Sequence, residues 1–137
     1  MSYIEAMAPM AERVLLCLGE RPSAQITIRA AARMATELKA RLYALYVERP
    51  GASTRRAPEV AAQLTRNQRL ARDLGAQIEV VYSHRVADAI LAFAREHEVS
   101  RIVIGRSQRT RWQRLLCGDL VEQVRRGSGT IAVYVIG

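Results

Sequence analysis

Arg13-Val-Leu-Leu-Cys-Leu-Gly-Glu-Arg-Pro-Ser-Ala-Gln-Ile-Thr-Ile-Arg-Ala-Ala-Ala-Arg-Met-Ala-Thr-Glu-Leu-Lys-Ala-Arg-Leu-Tyr-Ala-Leu-Tyr-Val47 decides the fold. It opens on a short apolar run, Arg13 to Leu18, closed by Gly19. That length and the flanking glycine favour a buried strand over a helix. Pro22 and Ser23 open a helix, in which Ile26, Ala30, Met34 and Leu38 recur at helical spacing with Arg29, Arg33 and Glu37 between them. This is the pattern of an amphipathic helix. Leu42 to Val47 is again continuous and β-rich, a second buried strand. Strands that are apolar on both faces and alternate with helices belong to a parallel sheet covered on both sides.

The alternation continues to the end of the chain. Arg49 to Pro58, rich in Pro, Gly, Ser and Thr, reads as a loop. Val60 to Leu74 is helical, with Leu64, Leu70 and Leu74 inward and Gly75 as its C-cap. Gln77 to Tyr82 is a third strand whose stronger alternation sets it nearer an edge. Val86 to Glu96 is a helix with Val86, Ile90 and Phe93 on one stripe, and Val99 to Ile104 is a fourth strand ending at Gly105. A polar loop, Arg106 to Cys117, precedes a helix opened by Gly118 and Asp119. Gly127 to Gly129 then turns the chain into a fifth strand, Thr130 to Ile136. The fold class expected is α/β, a Rossmann-like three-layer sandwich whose five-stranded parallel sheet has the order 3-2-1-4-5. Residues 1–12 read as an N-terminal extension and 13–137 as one domain.

Composition bounds the function. Half of the 137 residues are hydrophobic and only 5% are aromatic, so the core is aliphatic. The net charge is +8, and Lys39 is the only lysine. Arginine suits bidentate contacts to phosphate or carboxylate, but a genome that prefers arginine gives the same excess, so both sources stay open. No apolar run approaches the ~18 residues of a membrane span. Met1 to Met10 lacks the basic and apolar regions of a signal peptide. A cytoplasmic location is expected. Cys17 and Cys117 lie far apart and His84 and His97 are isolated, so reduced thiols and no zinc site are expected. No Gly-x-Ser-x-Gly elbow and no phosphate-binding Walker motif occurs. Asp73, Asp88 and Glu96 sit on helices among arginines, as solvated helix faces do. The expectation is a binding or regulatory module and not an enzyme.

A doubly wound sheet takes its ligand outside the carboxyl ends of its strands, where the strand order reverses. The candidate ligand residues are Leu18, Gly19 and Ser23 after the first strand, and Tyr46 and Val47 at the end of the second. After the fourth strand they are Gly105, Arg106, Ser107, Arg109, Arg111, Arg114, Gly118 and Asp119. Glycines let a backbone approach a ligand closely, and a helix N-terminus offers unpaired N–H groups to an anion. The competing reading of the arginine segment is a solvated surface loop. Trp112 either stacks on a base or packs on the neighbouring helix. Tyr46 serves either the core or the ligand, and Tyr134 reads as core or interface.

These residues resemble the universal stress protein family, whose nucleotide loop runs Gly, two residues, Gly, nine residues, Gly, then Ser or Thr. Gly105 and Gly118 match its first and third glycines, while Gln108 and Asp119 stand at the second glycine and at the Ser/Thr. No Asp follows the first strand, where the nucleotide-binding members carry one. More of the chain resembles the domain of this family found in KdpD potassium-sensor kinases, through Ile28 to Leu38, Ala44 to Glu48, and Ile104 to Arg106 with Arg111-Trp-Gln-Arg-Leu-Leu-Cys-Gly118.

The resemblance implies a sensory domain of a two-component potassium system that binds ATP, AMP or cyclic di-AMP and signals by protein contact. Some members hold cyclic di-AMP through a Ser-x-Ser loop and a Phe-Thr-Ala-x-Tyr strand. Ala44 and Tyr46 match that strand, Leu42 and Tyr43 do not, and Ser23 is the only serine of the first loop. The chain is either an excised domain or a free-standing homologue. Family members often dimerise through the last strand, and Thr130 to Ile136, apolar on both faces, would be a pairing template as an edge. The alternative function is a dimerisation or interaction domain with an empty pocket, and non-specific nucleic-acid binding by charge is a weaker third.

Overall fold

A computed structural model describes residues 11–106 and 120–137. The elements run β1 (Arg13–Cys17), α1 (Ala24–Leu38), β2 (Arg41–Glu48), α2 (Ala52–Arg55), α3 (Pro58–Asp73) and β3 (Gln77–Tyr82). They continue with α4 (Val86–Glu96), β4 (Arg101–Gly105), α5 (Leu120–Gly127) and β5 (Ala132–Ile136). The five strands form one sheet in the order β3-β2-β1-β4-β5, and every pairing is parallel. This is the topology the sequence predicts, with β3 on one edge and β5 on the other.

The period of a strand explains the layers. Val14 and Leu16 point to one face of β1 and Leu15 to the other, and all three are fully buried. α1 and α3 cover the first face through Ile28, Ala31, Ala35 and Ala71, while α4 and α5 cover the second through Ile90, Leu91, Phe93 and Val124. Right-handed crossovers require this division. The chain steps from β1 to β2 to β3 with helices on one face, then returns past β1 to β4 and β5 with helices on the other. The reversal between β1 and β4 opens a crevice at their carboxyl ends.

Three local readings are corrected. On α1 the fully buried seam is Thr27, Ile28, Ala31 and Ala35, and Ile26 is 63% exposed. Small residues let the helix backbone approach the sheet, so the bulkier Met34 and Leu38 lie at the margin of the seam rather than on it. On α3 the inward face is Gln63, Leu64, Asn67 and Ala71, and Leu74 is exposed. Within the segment read as a loop, Gly51 adopts φ +80°, the Thr54 hydroxyl donates to the Gly51 carbonyl at 2.8 Å, and α2 forms one helical turn.

At the amino ends of the strands, Glu12 ties β1 to β4. Its carboxylate accepts hydrogen bonds from the Ser100 hydroxyl and from Arg101, whose Nε lies at 3.3 Å. Arg101 Nη1 also donates to the Tyr134 hydroxyl on β5. The Ser100 hydrogen bond first, and Arg101 second, hold the Glu12 carboxyl below its usual range. A lowered folded-state value contributes stability that is present above the unfolded value and lost as pH falls through the folded one. Glu12→Gln is therefore expected to be less stable than the parent near neutral pH, with the gap closing in acid. Urea unfolding of both proteins along a pH series checks this, and a gap that does not change with pH would contradict it.

Candidate functional site

A cleft of about 720 Å³ opens at the carboxyl ends of β1, β2, β4 and β5. Sites for small molecules span roughly 300–1,000 Å³. Leu45, Val47, Ile90 and Ile104 give the cleft apolar walls, and Glu20, Arg21, Arg49 and Arg106 bring charge to it. Leu18, Gly19, Ser23, Tyr46, Val47, Gly105 and Arg106, singled out in the sequence, all line this one cleft. Ser107, Arg109, Arg111, Arg114, Gly118 and Asp119 lie outside the described residues, as do Gln108, Trp112 and Cys117. A smaller cavity of about 290 Å³, reached by His84 and Arg85, adjoins the cleft and shares Arg49, Val86 and Leu120 with it.

The turn from β1 into α1 is fixed from beneath. Leu18 N–H donates to the Leu45 carbonyl at 2.9 Å, which continues the β1–β2 pairing past the strand end. Asn67, on the inner face of α3, has no solvent exposure. Its Nδ2 donates to the Gly19 and Arg21 carbonyls, each at 2.9 Å, and its Oδ1 accepts from Gln63 Nε2 at 2.9 Å. The sequence reading missed this pair. The available signal was two amides, Gln63 and Asn67, spaced i,i+4 on the stripe that also holds Leu64 and Ala71.

A second missed group closes the β2 side of the cleft. Glu20 Oε2 accepts from the Tyr46 hydroxyl at 3.0 Å and from Arg56 Nε at 3.3 Å. Arg56 Nη2 donates to the Tyr46 oxygen at 2.9 Å and to Glu48 Oε2 at 2.5 Å. Glu48 is 7% exposed, so Arg56 is the counter-charge of a buried carboxylate. The Glu48 hydrogen bond foremost pushes the Arg56 guanidinium up, and burial with the Glu20 charge pushes the Tyr46 phenol up. Tyr46 therefore keeps its proton and donates it to Glu20. Two carboxylates against one guanidinium leave the cluster with a net charge of minus one.

At the β4 end, glycine is a steric requirement. A Cβ built on Gly105 would stand 2.6 Å from Thr27 Oγ1, and Thr27 is itself 5% exposed on the α1 seam. Gly105→Ala is expected to cost about 1–3 kcal/mol through overpacking. Gly105→Ala with Thr27→Ala should recover most of that loss. Chemical unfolding of the single and double variants checks the pair, and strictly additive losses would refute the contact. Cys17 also lines the cleft, and burial pushes its thiol up to about 12, so it stays protonated near neutral pH. Among the described residues no cluster of His, Cys, Asp and Glu could hold a metal ion, and no helix is long and apolar enough to cross a membrane.

A doubly wound sheet with one lined crevice at its reversal point defines a Rossmann-like ligand-binding domain. A profile of the universal stress protein family matches residues 10–135, and the chain belongs to that family. It is 35% identical over 104 residues to the sensor protein KdpD of Escherichia coli K12, an alignment covering 75% of this chain and 11% of that protein. It is 34% identical over 125 residues to the sensor protein KdpD of Mycobacterium tuberculosis CDC 1551, covering 91% of this chain and 14% of the relative. The chain thus spans about a seventh or less of the length of these relatives.

Among solved structures, a universal stress protein in complex with cAMP superposes with a TM-score of 0.69 at 18% identity, over 93% of this chain and 99% of the other. The universal stress protein of Archaeoglobus fulgidus in complex with dAMP gives 0.66 at 18% identity, over 93% and 100%. At these identities the likeness is one of fold.

Proposed function

We propose that this chain is a regulatory domain that binds an adenine-type nucleotide in the cleft and passes the signal on by protein contact. The observation that carries this reading is the polarity of the cleft. Tyr46 and Glu20 line its β2 side, backed by the Arg56–Glu48 pair and flanked by Arg21 and Arg49, its β4 end holds Gly105 and Arg106, and its walls between them are apolar. A base fits the Tyr46 end, where Glu20 offers an acceptor, and a phosphate the Arg106 end, where no carboxylate side chain lines the cleft among the described residues. The cAMP and dAMP complexes of two family members of the same fold support the ligand class. AMP, ATP and cyclic di-AMP are the ligands to test.

The likeness to KdpD sensor proteins supports a place in a sensor protein, and the proposal extends this to a cytoplasmic sensor kinase responding to potassium in which the domain itself is non-catalytic. A thermal-shift series with these nucleotides tests the binding. A ligand that binds only the folded state stabilises by about 2.7 kcal/mol at a hundred times its Kd. A saturable shift is expected with at least one nucleotide. No shift with any of them would remove the reading.

One observation favours a second role. Val133 and Val135 of β5 pack into one core layer, Tyr134 and Ile136 into the other, and the strand's outer edge has no neighbour in the sheet among the described residues. Such an edge is a template for pairing with a second copy. A homodimer through β5 is the expected result in light scattering, and a monomer mass at high concentration would refute it.

A further inference from the structure

We infer that Glu20 is the specificity-determining residue of the cleft and selects nucleotides whose base carries an exocyclic amino group. The inference rests on the nucleotide reading above and adds a named contact to it. Glu20 lies at the turn after β1, lines the cleft, and its side chain is 43% exposed there. Its two oxygens are not equivalent. Oε2 is filled by the Tyr46 hydroxyl and Arg56 Nε, whereas Oε1 has no hydrogen-bond partner among the described residues. The carboxylate is therefore held in one orientation by two donors and offers one free acceptor. An ionised carboxylate accepts and cannot donate. It is matched by an N–H of an amino group and opposed by a carbonyl oxygen, as in the pairing of acidic side chains with the cytosine amine.

The surroundings sharpen the choice. Arg56, the nearest cation, is already shared among Glu20, Tyr46 and Glu48, so it does not offer a competing donor to a base carbonyl. Tyr46 spends its proton on Glu20. Among the described residues Glu20 is thus the one carboxylate side chain that lines the cleft, and its free oxygen is an acceptor there, although Arg21 and Arg49 line the same side and offset its charge. Asn67 holds the carbonyls on either side of Glu20, at Gly19 and Arg21, and so fixes the backbone from which the carboxylate projects.

The test is titration calorimetry with AMP and with purine ribose 5′-monophosphate, which differs only by a hydrogen in place of the amino group. Hydrogen bonds to charged groups predict that the parent binds AMP about tenfold to a hundredfold more tightly. Glu20→Ala should bring the two affinities within about twofold, because only the amine contact distinguishes them. Glu20→Gln keeps an acceptor oxygen without the charge and should fall between. Equal affinities in the parent, or an unchanged ratio in Glu20→Ala, would overturn the inference while leaving nucleotide binding standing. If the folded parent binds neither compound, the inference is overturned, and the nucleotide reading falls with it only if ATP and cyclic di-AMP also give no thermal shift.

Discussion

Arg56→Ala is expected to lower the unfolding free energy by about 3 kcal/mol or more. Glu48 is the reason. It ends β2 with 7% of its surface exposed, and the Arg56 guanidinium at 2.5 Å is its counter-charge. Without Arg56 the carboxylate stays in a site that water barely reaches. The penalty for an uncompensated buried charge exceeds that for losing the pair altogether. Glu48→Gln in the Arg56→Ala background should therefore restore stability relative to Arg56→Ala alone. Arg56→Lys keeps the charge but lacks the planar fork that reaches Glu20, Tyr46 and Glu48 together, so it should fall between parent and Arg56→Ala. Chemical unfolding near neutral pH reads all three. A loss in Arg56→Ala below about 1 kcal/mol, the range of an exposed ion pair, would mean that Glu48 is hydrated and that the pair does not organise this end of the cleft.

The layers and the strand order were legible because they rest on local signals that agree. Continuous runs such as Val14 to Leu16 and Ile102 to Ile104 can only be central strands, and the helices between them leave one right-handed path. The face of α1 was not legible to the same degree. Periodicity ranks residues by hydrophobicity and picked Ile26 and Met34, whereas close approach to the sheet selects Ala31 and Ala35 for size. α2 escaped because a single turn held by Gly51 and Thr54 has too few residues to show a period.

The cleft was legible in outline because its position follows from topology. Once β1 and β4 are adjacent, Leu18, Gly19, Gly105 and Arg106 must border the crevice. The cluster of Glu20, Tyr46, Glu48 and Arg56 was not, because nothing in their spacing pairs them. Parallel register places the ends of β1 and β2 side by side, and Arg56 reaches back from beyond α2. Tyr46 reads on its own as a candidate for the ligand, Glu20, Glu48 and Arg56 each read as ordinary surface charges, and only the fold makes the four a unit. Asn67 is the converse case. Its place on an inward stripe was visible in the sequence, but the carbonyls it serves belong to a turn 46 and 48 residues earlier.

Asn67→Ala is accordingly expected to cost about 2–4 kcal/mol, because it removes three hydrogen bonds at once and leaves the Gln63 amide and two backbone carbonyls to find other partners. Asn67→Asp has nearly the same shape but should be worse than Asn67→Ala near neutral pH. Its second carboxylate oxygen would face the Gly19 and Arg21 carbonyls, acceptor against acceptor, where Nδ2 now donates to both. The two variants separate a packing role from a hydrogen-bonding one, since a site that needed only volume would tolerate Asp better than Ala. The turn should loosen with the loss. Hydrogen exchange of the Leu18 amide, now bonded to the Leu45 carbonyl at 2.9 Å beside that turn, should speed up in both variants. Ligand affinity should fall as well, although Asn67 is not among the residues lining the cleft, because Glu20 projects from the backbone that Asn67 holds. A loss within about 0.5 kcal/mol, the range of ordinary surface substitutions, with unchanged exchange at Leu18 would show that the turn is set by the β1–β2 pairing alone.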